Sequence, residues 1–278
     1  MTTYALIAAI ESDAINLNNK TNTTTIPRMY EKEAIACFTA WRQNGGWLKD
    51  IPIHVHCPTV NKISNETRLE LEKLGVAYTE QHHPITDTFT SGFLNIPFVG
   101  MLYEQALDVD YLIKIDLDMN LLQPLPRELV ECGDVVCGQY DDFCTKAYHR
   151  TLDGWANPFD TGFMISPTTV KIYEQWFGIV QRILTSPNSD PQWEQVRART
   201  GEYYLEEYAM DYIFHNNLSP IRPIQRYQLG EWYTPVSMFT DDELSRVYFW
   251  HEHLIPDPKY DKIRQRVEFF NRMRRLTA

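Results

Sequence analysis

Apolar positions in the first half of the chain alternate between short continuous runs and helical stripes. Tyr4–Ile10 is an unbroken apolar run and predicts a buried first strand. The stretch from Glu11 to Arg28 is polar, rich in Asn and Thr, and is expected to be a loop. Glu31–Trp41 has helical periodicity and stops before Asn44-Gly45-Gly46. Ile51–Cys57 predicts a strand closed by Pro58. Ser64 should cap a helix running to Leu74, with Gly75 ending it. Further strands are expected at Val76–Glu80 and Tyr111–Ile115, with a helix between them over about Phe98–Leu107. Strands that alternate with helices imply a mainly parallel sheet covered on both faces, an α/β fold.

The second half is less regular. Asp134–Gly138 and Phe163–Ser166 read as strands. Thr169–Leu184 predicts an amphipathic helix with Ile172, Tyr173, Trp176, Phe177, Val180, Ile183 and Leu184 on one stripe. Another helix is expected over Tyr203–His215, and a late strand over Val247–Trp250. A basic helix should begin near Pro258, dividing the chain into a domain over 1–257 and a terminal helix over 258–278. On that helix Ile263, Val267, Phe270 and Leu276 fall near one stripe, flanked by Phe269 and Met273. Such a stripe either docks on the domain or lies in an anionic membrane interface.

Length and charge narrow the function classes. With 278 residues, one sizeable core can be buried. The formal net charge of -11 repels phosphate backbones, so no nucleic-acid partner is expected. A small anionic ligand remains compatible if a divalent ion reverses the sign locally. Five cysteines (Cys37, Cys57, Cys132, Cys137 and Cys144) form no CxxC pair and read as free thiols of a cytoplasmic protein. The apolar run near the start is too short for a membrane span and lacks the basic flank of a secretory signal.

The segment YLIKIDLDMN, Tyr111–Asn120, carries the chemistry. An apolar strand leads into Asp116 and Asp118, which an extended backbone would point to the same side. At the carboxyl end of a parallel strand they would be exposed where open α/β sheets bind ligands. Two close carboxylates repel unless a cation lies between them, and Mn²⁺ or Mg²⁺ takes oxygen ligands and bridges to a diphosphate. Lys114 shares a face with Asp116, to pair with a carboxylate or to meet the phosphates.

This segment resembles the DxD strand of GT-A glycosyltransferases, and LLQPLP, Leu121–Pro126, resembles its continuation. The order of later segments is similar to the family 8 branch: FDTGFMIS at Phe159–Ser166, EEYAMDYIFHN at Glu206–Asn216, and YFWHEH at Tyr248–His253. The resemblance covers roughly Tyr4 to Asp257. It implies a GT-A fold and a metal-dependent hexosyltransferase that moves a sugar from a nucleotide-sugar donor, a UDP-sugar by default, to a hydroxyl of a saccharide, protein or lipid-linked acceptor. It also implies a third metal ligand beside Asp116 and Asp118, for which His251 aligns best and His253 competes. The donor would lie along Ala8, Ala9, Ile10, Glu11, Asn95, Lys114, Asp116, Leu117 and Asp118. Asp211 is the first candidate for a catalytic carboxylate and Asp160 the second; Asp141 and Asp142 could line the same cleft.

The chain departs from the family at several points. The turn AAIESDAIN has no aromatic residue for the base, Asp160 stands where the family has Asn, and Met210 stands where a polar residue often precedes the helix aspartate. Tyr227, Trp232 and Tyr233 form an aromatic loop suited either to a sugar acceptor or to local packing. The alternatives are a HAD-like phosphatase, whose nucleophilic Asp normally opens the domain on the first strand, and a non-catalytic nucleotide-sugar binder.

Overall fold

A computed structural model of the chain describes residues 2–16, 24–83, 96–140, 159–186, 190–200, 205–224, 229–231, 240–251, 267–272 and 275. The first half contains β1 (Tyr4–Ala9), β2 (Ala14–Asn16), β3 (Thr24–Ile26), α1 (Met29–Asn44), β4 (Ile53–Cys57), α2 (Asn65–Lys73), β5 (Val76–Glu80), α3 (Ile96–Ala106), β6 (Tyr111–Ile115) and β7 (Met119–Leu121). The second half contains α4 (Arg127–Val130), β8 (Val136–Tyr140), β9 (Phe159–Pro167), α5 (Ile172–Thr185), α6 (Pro191–Thr200), α7 (Leu205–His215), β10 (Ile221–Ile224), β11 (Leu229–Glu231), α8 (Asp241–Ser245) and β12 (Phe249–His251).

Seven strands make one central sheet in the order β10-β8-β9-β6-β1-β4-β5. Every pairing in it is parallel except those of β9 with β6 and with β8. This is the mainly parallel α/β sheet that the alternating pattern predicts. β1 is an interior strand, between β6 and β4, and its unbroken apolar run fits that place: both of its faces are covered. Leu6 and Ala8 point into a core with Phe38 and Trp41 of α1 and Leu71 of α2. Ala5 and Ile7 point into the opposite core, with Val99 of α3, Trp176 of α5 and Tyr208 of α7.

Local signals explain several element ends. Ser64 caps α2, its hydroxyl accepting from Thr67 N at 3.2 Å, and Gly75 ends the segment at φ 68°, a left-handed position that costs glycine little. The stripe of α5 is buried as predicted, with Ile179 added and Leu184 half-buried. This helix begins later than expected. Lys171 at φ 56° separates it from a 3-10 turn at Thr168–Val170. Glu104 of α3 then satisfies its first free N–H groups, accepting from Tyr173 N at 3.4 Å and Glu174 N at 3.2 Å.

Three further expectations need correction. The polar stretch after β1 is not all loop, because β2 and β3 pair as an antiparallel hairpin. Cys132 and Cys137 are paired as a disulfide; Cys37 and Cys57 are free and buried, and Cys144 lies outside the described residues. The late strand is Phe249–His251, starting two residues later and ending one residue later than the pattern indicates.

At the end of the chain, residues 267–272 are helical and dock on the domain. Phe269 is fully buried against Trp250, ring centroids 4.5 Å apart, while Val267 of the predicted stripe is 54% exposed. Phe269, placed on the flank of the stripe by sequence, is the most deeply docked residue, and Phe270 of the stripe packs half-buried beside it. Among the described residues no helix is long and apolar enough to cross a membrane.

Candidate functional site

In an open parallel sheet, ligands bind beyond the carboxyl ends of the strands, where neighbouring connections leave in opposite directions. Here that point lies between β1 and β6: β4 and β5 extend the sheet to one side of β1, and β6, β9, β8 and β10 extend it to the other. A recess of about 520 Å³, its open mouth included, sits there. It is lined by Ala9, Ile10 and Glu11 after β1, by Asp116, Leu117 and Asp118 after β6, by Pro58 after β4, by Tyr30 and Glu33 of α1, and by Ile96 of α3.

The two aspartates reach the recess differently from the extended-strand expectation. β6 ends at Ile115; Asp116 N then donates to Gly162 O at 2.8 Å, and the chain turns, with Met119 N donating to Asp116 O at 3.2 Å. The turn feeds β7, which pairs antiparallel with β12 so that Met119 faces His251 across the ladder. That register sets His251 beside the residue before Met119, and His251 Nε2 lies 3.0 Å from Asp118 Oδ2. Asp118 is therefore buried, 4% exposed, rather than standing free at a strand end. The Asp116 side chain keeps 28% of its surface exposed.

Lys114 Nζ is ion-paired to Asp116 Oδ1 and also donates to Thr161 O. Loss of hydration raises the Asp116 carboxyl above its ordinary range, Lys114 opposes this, and the Asp118 charge adds to the rise. Glu11 is also raised, to about 7, by burial, with a hydrogen bond to Thr59 opposing. Four carboxyl groups thus line the recess, and among its described lining residues there is no lysine or arginine.

A buried carboxylate supports this rim from behind. Glu31 of α1 accepts from Ser12 Oγ at 2.6 Å, Ser64 N at 3.0 Å, Ser64 Oγ at 2.8 Å, Arg28 Nε at 3.0 Å, and from Thr67 Oγ1. It joins the segment after β1, the start of α1 and the cap of α2. Burial alone would raise this carboxyl, but the Ser12, Thr67 and Ser64 hydrogen bonds outweigh burial and hold it at about 2.

The sequence-based candidates are distributed as follows. Ala9, Ile10, Glu11, Asp116, Leu117 and Asp118 line the recess, and His251 contacts Asp118. Ala8 is buried in the core beneath, and Lys114 is buried behind Asp116. Asp211 is fully buried on α7 and is not among the lining residues. The backbone of Asp160 lies in β9; its side chain lies outside what is described, as do Asn95, Asp141, Asp142, Tyr227, Trp232, Tyr233 and His253.

Tyr30 and Glu33 were missed by the sequence reading. Their three-residue spacing at the start of α1 was the available signal, since it sets both on one face of a helix that follows β1. Tyr30 brings an aromatic ring to a recess whose β1 turn has none.

Among the described residues no three His, Cys, Asp or Glu side chains converge as a ready metal cage. The donors present nonetheless suit an oxygen-preferring divalent ion: Asp116 and Asp118 are close enough to perturb one another, and an imidazole stands against Asp118. No protein-family model matches the chain, and no curated protein matches it.

Proposed function

We propose that the chain is a metal-dependent glycosyltransferase of the GT-A type, moving a sugar from a nucleotide-sugar donor to a hydroxyl acceptor. The observation that carries this reading is the placement of Asp116 and Asp118 in one recess with Ala9–Glu11, at the switch point of the sheet. In the resemblance these segments have the two halves of donor binding as their tasks. A UDP-sugar is the default donor. Its base and ribose would lie along Ala9–Glu11 with Tyr30 as the available ring, and its diphosphate would face Asp116 and Asp118.

An acidic recess repels a diphosphate unless a cation is held between them. Asp116 and Asp118 would hold Mn²⁺ or Mg²⁺, with His251 orienting Asp118 or joining as a ligand. When bound, the ion supplies charge neutralisation for the departing nucleoside diphosphate. The chain's own residues then place the donor and exclude water from it. Asp211 and Asp160 are the candidates for the carboxylate that acts on the acceptor or beneath the anomeric carbon.

The test is thermal melting with UDP and GDP, each with and without Mn²⁺, on the wild type and on Asp118→Asn. Asparagine is the right replacement because Asp118 is buried and alanine would leave His251 without its acceptor. A shift that needs both nucleotide and metal, and that Asp118→Asn abolishes, is expected; at a hundredfold excess over Kd it corresponds to about 2.7 kcal/mol. A shift indifferent to metal and to Asp118 would refute the proposal.

A further inference from the structure

Lys114 is an unusual residue for its position. It pairs in register with Ile7 of β1 and Met164 of β9, both members of the apolar core beneath α3, α5 and α7. Its side chain is 3% exposed. An ammonium is rarely buried to this degree unless it is paired, and here its partners are the Asp116 carboxylate and the Thr161 carbonyl. Thr161 in turn bonds the buried Glu206 of α7, Oγ1 to Oε2 at 3.3 Å, and Glu206 O accepts from Trp176 Nε1 at 2.7 Å. The ammonium is therefore anchored on the helix side of the sheet as well as to Asp116. A divalent ion entering the recess meets Asp116 with one oxygen already engaged by a fixed positive charge.

We propose that Lys114 is a built-in counter-ion that competes with the divalent metal for Asp116, and that this competition sets the metal affinity of the recess. The inference rests on the transferase reading and concerns the regulation of that same site. With the recess alone, the ammonium satisfies Asp116 and disfavours a second cation beside it. An anionic donor adds negative charge and shifts the balance towards the metal. Metal and donor therefore bind best together, and metal without nucleotide binds weakly.

The experiment is calorimetric titration of Mn²⁺ alone, at about pH 8, into the wild type and Lys114→Gln. Glutamine keeps an N–H donor for Thr161 O and removes the charge. Lys114→Met carries the same comparison if the glutamine variant does not fold, and melting curves confirm folding in either case. The charge-free variant is expected to bind Mn²⁺ about tenfold more tightly than the wild type, or to bind where the wild type does not. The dependence of Mn²⁺ affinity on added UDP should shrink in parallel. Measurable Mn²⁺ binding of equal or weaker affinity in the variant overturns the role of Lys114 and leaves the transferase reading standing. No Mn²⁺ binding to either protein, with or without UDP, overturns both.

Discussion

Replacing Glu31 with glutamine removes one charge from a carboxylate whose side chain is 1% exposed and which receives hydrogen bonds from four residues. The folded-state value of about 2 lies well below the ordinary 4.5. By linkage, a depression of that size contributes about 3 kcal/mol of stability at neutral pH. Glutamine offers one acceptor oxygen and turns an N–H₂ group towards hydroxyls that were donating, so little of this is recovered. Unfolding entropy of about 2.1 cal/mol/K per residue converts the loss to a fall of about 5 °C in Tm for a chain this long. Because the carboxyl is depressed in the folded state, its contribution is complete above about pH 4.5 and is lost as pH falls towards about 2. Urea unfolding of the wild type and Glu31→Gln, followed from pH 7 down to about pH 3, should show a difference that narrows as acid is added. Under the proposed transferase function, nucleotide affinity should also weaken in folded Glu31→Gln, since Glu31 holds Ser12, next to the recess-lining Glu11. A variant within about 0.5 kcal/mol of the wild type at pH 7, or a gap that does not narrow with acid, would refute the argument.

Two other outcomes follow from packing. In Gly100→Ala an added Cβ would come within 2.1 Å of the Tyr173 ring, which is fully buried, so α3 and α5 must separate; a loss of about 1–3 kcal/mol is expected by urea unfolding. Gly178→Ala on α5 is the control, since nothing lies within 4 Å of its added Cβ, and it should stabilise by about 0.5–1 kcal/mol. Phe269→Ala should cost about 3 kcal/mol or more and alter Trp250 fluorescence. Val267→Ala, at an exposed site, should change stability by less than about 0.5 kcal/mol.

The parts of the fold that were legible are those in which burial and periodicity agree. β5 and β6 lie where the pattern sets them, and the stripe of α5 is buried almost residue for residue. The hairpin of β2 and β3 was not legible, because Ala-Ile-Asn and Thr-Thr-Ile are too short, with one Ile each, to carry an apolar alternation. Glu31 and Glu33 were not legible as buried residues, since periodicity sends charges outward, and burial of Glu31 is tolerable because the hydroxyls of Ser12, Ser64 and Thr67, the Ser64 N–H and the Arg28 guanidinium all donate to it. Asp118 was expected at an exposed strand end. A residue 133 positions later covers it, and that contact depends on the pairing of β7 with β12, which no local pattern reveals.

The chemistry of the recess follows from the same distinction between local and distant terms. Glu11 and Asp116 are both raised, and in both the largest cause is burial rather than the neighbouring charges. A site that only gathered carboxylates on an open surface would stay hydrated and would weakly attract any cation. Here the walls of α1, Pro58 and Ile96 take water away, so each uncompensated negative charge is costly. The chain meets this cost in three ways: the ammonium of Lys114 at Asp116, the imidazole of His251 at Asp118, and a Glu11 carboxyl that is protonated in part near neutral pH. A single divalent ion would serve the same end more completely, and it is also the one addition that makes an acidic recess receptive to a diphosphate. The acidity of the lining therefore argues for a metal-borne anionic ligand over a bare one.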